Sequence, residues 1–340
     1  MIHRGAMLVV SIGCPAGIGP EVSVRAAAQL KGAPCVLVGD RGTIDRAAEL
    51  VGVAQRRLVP YREGKLDPNK IHVVDAGPPL SNRDWDAKRA TPAAGQAQLN
   101  YIEVAYELTK ANRGAALVTG PVSKAMVAGC GLARARKFLG HTEWLQSMDK
   151  ARVAIMCFAA EQLVVGLVTT HLPLSRVAKA LTPQNVCDAT VQLGSLLEAM
   201  GQRHPNVLVC SVNPHAGENE LLGKEEKTAI VPGIARARKQ LGSRVTVTGP
   251  VGAETAIRKA FAARGRQDQP GVVAMYHDQA TIPMKMVAFG DAVNVTMGLS
   301  IVRTSVDHGT AYDIAWQGKA DPSGMLNAMK LAARLTRRST

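Results

Sequence analysis

The chain has 340 residues, 46% of them hydrophobic and 20% charged, a composition that excludes a disordered or low-complexity protein. Single cores stop growing near ~250–300 residues, so two lobes or one large α/β unit are expected. The net charge of +14 invites nucleic acid as a partner, but the basic groups at 134–137, 236–239 and 330–338 are scattered and not interleaved with aromatics. Platforms for stacking bases are therefore missing, and the charge reads as solvated helix faces and attraction for an anionic substrate, with no nucleic acid bound.

In chain order, residues 7–12 form an apolar run that leads into a Gly/Pro turn. It is too short for a signal segment and reads as a first strand. The helix behind it carries Ile18, Val22, Ala26 and Leu30 on one stripe. Residues 36–38 and 71–74 read as strands, 92–112 as a long helix and 115–119 as the next strand. The longest apolar region, 153–170, is broken by Glu161 and Gln162, so it reads as two short strands and no membrane span is expected. Thr182 has N-cap chemistry with Pro183 at the first helical position. The helix that follows puts Val186, Ala189, Leu193, Leu196, Leu197 and Met200 on one face. Residues 207–212, 245–248 and 272–276 read as buried strands and 325–335 as a closing helix. This β-α alternation predicts an α/β fold with a mostly parallel sheet. No repeat and no linker stand out. Cys14, Cys35, Cys130, Cys157, Cys187 and Cys210 occur singly, which suits a reducing, cytoplasmic setting.

The unusual polar segments directly follow apolar strands: 13–20, 120–124, 171–173, 213–218, 249–250 and 277–278. Ligands of open α/β sheets bind beyond the carboxyl ends of strands, so these segments are expected to meet in one crevice. The glycine-rich stretch 13–21 reads either as an anion-facing helix start or as a tight turn without ligand. His171, His215 and His277 each sit at a strand end beside polar residues. They could bind a divalent metal with open positions or be ordinary hydrogen-bonded loop residues. His3, His72 and His204 lack that context and are expected at the surface. Lys285, Asn294 and Arg303 follow in what reads as short strands and turns, as groups suited to a phosphate or carboxylate.

Six motifs together resemble the 4-hydroxythreonine-4-phosphate dehydrogenase family: Gly-Cys-Pro-Ala-Gly-Ile-Gly-Pro-Glu (13–21), Val-Thr-Gly-Pro-Val-Ser-Lys (118–124), Gly-His-Thr-Glu (140–143), Asn-Pro-His-Ala-Gly-Glu (213–218), Met-Tyr-His-Asp-Gln (275–279) and Arg-Thr-Ser-Val-Asp-His-Gly-Thr-Ala (303–311). The resemblance implies a two-lobed fold like isocitrate and isopropylmalate dehydrogenases. A nucleotide-binding lobe is expected over 1–135 with 255–340, and a central lobe over 136–254. It implies a homodimer with its active site at the subunit interface. It further implies His171, His215 and His277 as ligands of one zinc, magnesium or cobalt ion, and His141, Thr142, Lys285, Asn294 and Arg303 as substrate-binding residues. His308, Gly309, Ala311 and Asp313 are implied as contacts of NAD or NADP. The implied reaction oxidises 4-phosphohydroxy-L-threonine to a 3-keto acid that loses CO₂ to give 3-amino-2-oxopropyl phosphate, with Asp278 and Lys285 as candidates for proton handling. A sister activity on 4-phospho-threonate, 4-phospho-erythronate or a cis-dihydrodiol dicarboxylate is the alternative. Three departures stand near the expected crevice: Cys14 for the usual Asp, residues 219–222 for a glycine-rich stretch, and Ser300 for Pro.

Overall fold

A computed structural model describes residues 6–64, 66–86 and 90–336; His3, Arg337 and Arg338 lie outside the described residues. The chain divides into two compact units, residues 1–151 with 299–340, and residues 152–298. The division expected near residues 135 and 255 is therefore moved. The reason lies in the sheet of the second unit, where a strand beginning at Gly271 is inserted between two earlier ones and takes its flanking helices with it.

The first unit begins with β1 (Met7–Ser11), α1 (Gly19–Gln29), β2 (Cys35–Gly39), α2 (Arg41–Leu50), β3 (Leu58–Pro60) and β4 (Ile71–Asp75). It continues with α3 (Pro92–Ala111), β5 (Ala115–Thr119), α4 (Lys124–Ala128) and α5 (His141–Asp149). The second unit holds β6 (Ile155–Ala159), β7 (Val164–Leu167), α6 (Leu174–Ala180), α7 (Pro183–Met200), β8 (Asn206–Cys210), α8 (Val231–Leu241) and β9 (Thr246–Val251). It ends with α9 (Ala253–Ala262), β10 (Gly271–Ala274), α10 (His277–Ala288) and β11 (Val293–Met297). The chain then returns to the first unit as β12 (Val302–Val306) and α11 (Ser323–Thr336).

In the first unit the strand order is β3-β4-β2-β1-β5-β12, with every pairing parallel. Strands β1, β2 and β5 are buried along their whole length, as near-continuous apolar runs covered on both faces must be. Helix α3 starts where Thr91 accepts a hydrogen bond from Ala94 N at 3.0 Å, and it packs on β1, β5 and α4.

In the second unit the order is β11-β6-β7-β10-β8-β9. The β11–β6 and β6–β7 pairs are antiparallel, and β7, β10, β8 and β9 run parallel. Thr182 and Asn185 form a reciprocal capping box at the start of α7, worth about 1 kcal/mol over alanine. The core joins Met156, Phe158 and Leu163 to Leu208, Val272, Ala280 and Met284.

Two expectations need correction. The segment after His277, expected as short strands and turns, begins instead with the twelve-residue helix α10, which has Pro283 inside it and carries Lys285, while Asn294 and Arg303 do lie in the short strands β11 and β12. A proline normally ends or kinks a helix, but the buried stripe Ala280, Thr281, Met284 and Ala288 holds this one on the sheet. His72, expected at the surface, is buried within β4 and accepts a hydrogen bond from Asp67 N at 3.0 Å.

Candidate functional site

On the second unit, β7, β10 and β8 are parallel neighbours, so their carboxyl ends share one rim. His171 follows β7, His277 opens α10 after β10, and His215 follows β8. Hydrogen bonds join the three strand ends. The Met275 carbonyl accepts from Thr169 N at 3.2 Å and Thr169 Oγ1 at 2.7 Å. Met275 N donates to Gln279 Oε1 at 2.6 Å, and Gln279 Nε2 donates to the Ser211 carbonyl at 2.9 Å. The rings of His171 and His277 stand 5.7 Å apart between centroids. His277 Nδ1 lies 2.7 Å from Asp278 Oδ1 and 3.2 Å from Thr281 Oγ1, which orients the ring and makes Nε2 the nitrogen for a further ligand. His215 is exposed, in a left-handed conformation with φ 51°. Two of the three imidazoles are thus together. Among the described residues no three His, Cys, Asp or Glu side chains are gathered closely enough to hold a metal ion.

On the first unit, the start of α5 meets the ends of β5 and β12. Arg303 is buried in β12 and donates from Nη2 to Thr119 Oγ1 at 2.6 Å. Burial pushes its guanidinium down to about 9, against the attraction of Glu143. His141 is held well below the ordinary histidine range by burial first, and then by the charges of Arg303 and Lys124. Its Nε2 is buried without a hydrogen-bond partner among the described residues. Thr142 is buried in the same turn. A neutral imidazole under two cations can donate one hydrogen bond to an anion that the cations neutralise. Lys124 escaped the residue-by-residue reading; its one signal was its place at the end of a strand-end loop.

The expected cofactor segment also lies on the first unit and is stitched to the glycine-rich loop. Ile18 N donates to the Thr310 carbonyl at 3.0 Å, Cys14 N to Pro121 O at 2.8 Å, and Gly17 N to Cys14 O at 3.1 Å. These three N–H groups are taken by the chain itself, as in a tight turn. Gly13, with φ 79°, is needed there because a Cβ would lie 2.3 Å from the Pro121 carbonyl oxygen. Trp316 sits at φ 60°, unusual for so bulky a residue. Its N–H meets the buried Glu21 carboxylate, its indole donates to Pro15 O at 3.0 Å, and its ring and that of Trp85 flank Arg46 at 4.8 and 4.7 Å. His308 Nδ1 lies 3.0 Å from the Gly309 carbonyl, while its buried Nε2 has no hydrogen-bond partner among the described residues. Gly309 and Asp313 are exposed and Ala311 is half-buried. Cys14 is fully buried, with Sγ 3.8 Å from Met126 Sδ and 3.5 Å from the Tyr312 hydroxyl. Burial pushes its thiol up, which disfavours the nucleophilic thiolate.

Lys285 is exposed near the end of α10, and Asn294 is half-buried in β11 with Oδ1 lacking a partner among the described residues. Both belong to the second unit, whereas His141, Thr142 and Arg303 belong to the first.

The model of the pyridoxal phosphate biosynthetic protein PdxA matches residues 31–332. A 4-hydroxythreonine-4-phosphate dehydrogenase of Acidithiobacillus ferrooxidans is 38% identical over 336 residues, covering 97% of this chain and 96% of that protein. A D-threonate 4-phosphate dehydrogenase of Salmonella typhimurium is 36% identical over 334 residues, covering 96% and 98%. The crystal structure of a 4-hydroxythreonine-4-phosphate dehydrogenase from Klebsiella pneumoniae matches with a TM-score of 0.82 at 34% identity, over 97% of this chain and 99% of that one. With its strand-end histidines and its paired cations at the start of α5, the chain belongs to the PdxA family.

Proposed function

We propose that the protein is a metal-dependent, NAD(P)-linked dehydrogenase that oxidises the C3 hydroxyl of 4-phosphohydroxy-L-threonine. The 3-keto acid then loses CO₂ to give 3-amino-2-oxopropyl phosphate. The observation that carries this reading is the placing of His171, His277 and His215 after three adjacent parallel strands joined by one hydrogen-bond chain. Three neutral imidazoles suit zinc or cobalt more than magnesium and leave positions for substrate oxygens. When bound, the metal would acidify the hydroxyl and stabilise enolate charge, and NAD(P)⁺ would accept the hydride from C3.

The chain's own residues do the rest. Arg303 and Lys124 neutralise an anionic end of the substrate, and His141 and Thr142 donate hydrogen bonds to it. Asp278 orients His277. Lys285 is assigned to return a proton to the carbon that loses CO₂, and Asn294 to bind a substrate oxygen. His308, whose buried Nε2 awaits a partner, contacts the nicotinamide nucleotide with Gly309, Ala311 and Asp313.

A homodimer is part of the reading. On α10, Ile282, Met286 and Phe289 are 58%, 81% and 83% exposed. They adjoin a cavity of about 510 Å³ lined by Ile257, Phe261, Pro283 and Val287. Apolar surface of this kind is normally covered, and α10 begins at His277, which would bring a metal ligand to the subunit interface. Six unpaired, buried cysteines support a reducing, cytoplasmic setting.

A second reading, a sister dehydrogenase acting on 4-phospho-threonate, is favoured by the similar identity to the Salmonella typhimurium protein. The test follows NAD(P)H formation with 4-phosphohydroxy-L-threonine and with D-threonate 4-phosphate, with NAD⁺ and NADP⁺, before and after chelation. Turnover of the first substrate that chelator abolishes supports the main reading. Preference for the second supports the sister activity, and chelator-resistant turnover refutes metal dependence.

A further inference from the structure

We propose that Glu226 is a positioning residue for His215, a role that rests on reading His215 as a metal ligand. The Glu226 side chain is buried, 6% exposed, and its carboxylate fills the bight of the loop that carries the imidazole. Oε1 accepts from Val212 N and Asn213 N, each at 2.9 Å, and Oε2 accepts from Asn213 Nδ2 at 2.9 Å. On the far side Gly217 approaches so closely that a Cβ there would lie 2.8 Å from Oε2. One carboxylate therefore touches both ends of the segment 212–217, and His215 is at its tip.

The loop needs such a clamp. His215, Ala216, Gly217, Glu218, Asn219 and Glu220 all have φ between 42° and 82°. Five of these are not glycine, and left-handed backbone of that kind persists only where its surroundings over-determine it. Other restraints act beside it: Ser211 Oγ donates to the Asn213 carbonyl at 2.9 Å, Glu218 N to the His215 carbonyl at 3.3 Å and Leu222 N to the Gly217 carbonyl at 3.1 Å, while Glu225 Oε2 accepts from Asn213 Nδ2 at 2.7 Å and Lys227 pairs with Glu220. Glu226 opens a π-helical turn, Glu226–Ile230, just before α8. Such widened turns recur at functional sites, where they re-aim a side chain.

The test titrates the full-length protein with Zn²⁺ by calorimetry and records the Co²⁺ spectrum, for wild type, His215→Ala, Glu226→Ala, Glu226→Asp and Glu226→Gln. Glu226→Ala is expected to weaken Zn²⁺ binding by about 10–100-fold, the usual effect of removing a group that orients a ligand, and to alter the Co²⁺ spectrum. Glu226→Gln keeps the reach of Oε1 and should bind nearly as wild type. Glu226→Asp withdraws the carboxylate and should behave as the alanine variant, deciding the matter if Glu226→Ala does not fold. Ser300→Pro, a destabilising change on the other unit, should leave Zn²⁺ affinity unchanged. Wild-type binding in Glu226→Asp and Glu226→Ala, with binding lost in His215→Ala, overturns the positioning role alone. Wild-type binding in His215→Ala overturns the ligand assignment, and this role with it.

Discussion

Arg303→Met separates binding from stability. Burial lowers the Arg303 guanidinium to about 9, which disfavours the charged form in the folded chain by something on the order of 5 kcal/mol. Methionine fills much of the same space without the charge, whereas alanine would leave a cavity. The loss of the Nη2 bond to Thr119 Oγ1 returns about 1.5–3 kcal/mol, and that of the guanidinium's other interactions a little more; the attraction of Glu143 is already contained in the net lowering. The ligand-free variant should therefore be more stable by about 1–3 kcal/mol, a rise of roughly 2–4 °C per kcal/mol in Tm. The linkage has a definite sign. Above about pH 9 the folded chain releases a proton that the unfolded chain still holds, so wild-type stability gains from this group as pH rises. The variant should lack that gain. Removing a buried cation from an anion site costs about 2–5 kcal/mol of binding, so KM for the phosphorylated substrate should rise by about 30-fold to several thousand-fold. Thermal melts and steady-state kinetics on the same samples decide the matter. A Tm more than about 5 °C lower with an unchanged KM would show that Arg303 serves the fold and would refute the reasoning.

Asp149 is pushed up by burial but drawn further down, to about 2, by its bonds from Lys110 and Ser300. The stability it gives is present above pH 3.8 and lost as pH falls towards 2. Ser300→Pro removes the N–H donor at 2.6 Å and the hydroxyl, so it should cost about 1–3 kcal/mol at neutral pH and flatten the acid limb of a Tm–pH curve; an unchanged curve counts against it. Cys14→Ser should keep activity within about tenfold, and a loss beyond roughly 10³-fold with the fold intact would mean a catalytic thiol. Alanine at His171, His215 or His277 should give three similar proteins, folded, poor in metal and nearly inactive; full metal occupancy by elemental analysis with normal turnover in His215→Ala would sink the shared site. Mixing two different inactive variants should restore some activity if the ligands come from opposite subunits.

The parts of the molecule governed by local rules were legible in the sequence. The Thr182–Pro183 start of α7, the ends of β5 and the apolar runs of β1 and β2 follow from capping chemistry and burial, which act within a few residues. The strand-end positions of His171, His215 and His277 were readable for the same reason. What escaped depends on distant partners or on tertiary override. Pro283 disguised α10 because its stability comes from the buried face rather than from propensity. His72 looked superficial because its partner is the backbone of a preceding turn. Glu226 lies in no motif, and Gln279 closes the 275–279 motif without showing its role, since what matters is which backbone groups the fold brings to them. The left-handed run at 215–220 is invisible in residues that rarely adopt it.

The first unit is discontinuous, and this bears on how the protein is made. Residues 152–298 are contiguous and hold every strand of the second unit, so the pairings within that unit need no segment made later. Residues 1–151 do need one. Strand β12, which pairs with β5, and α11, which packs on α1, β1, β5 and β12, arrive last. So do Trp316 and Gly318, whose N–H groups satisfy the buried Glu21 carboxylate. At about 5–20 residues per second the interval is on the order of ten seconds or more. Throughout it the apolar Ala115–Thr119 strand presents an unpaired edge, the kind of surface on which nascent chains associate wrongly. Any product that terminates before Leu299 keeps that edge open permanently.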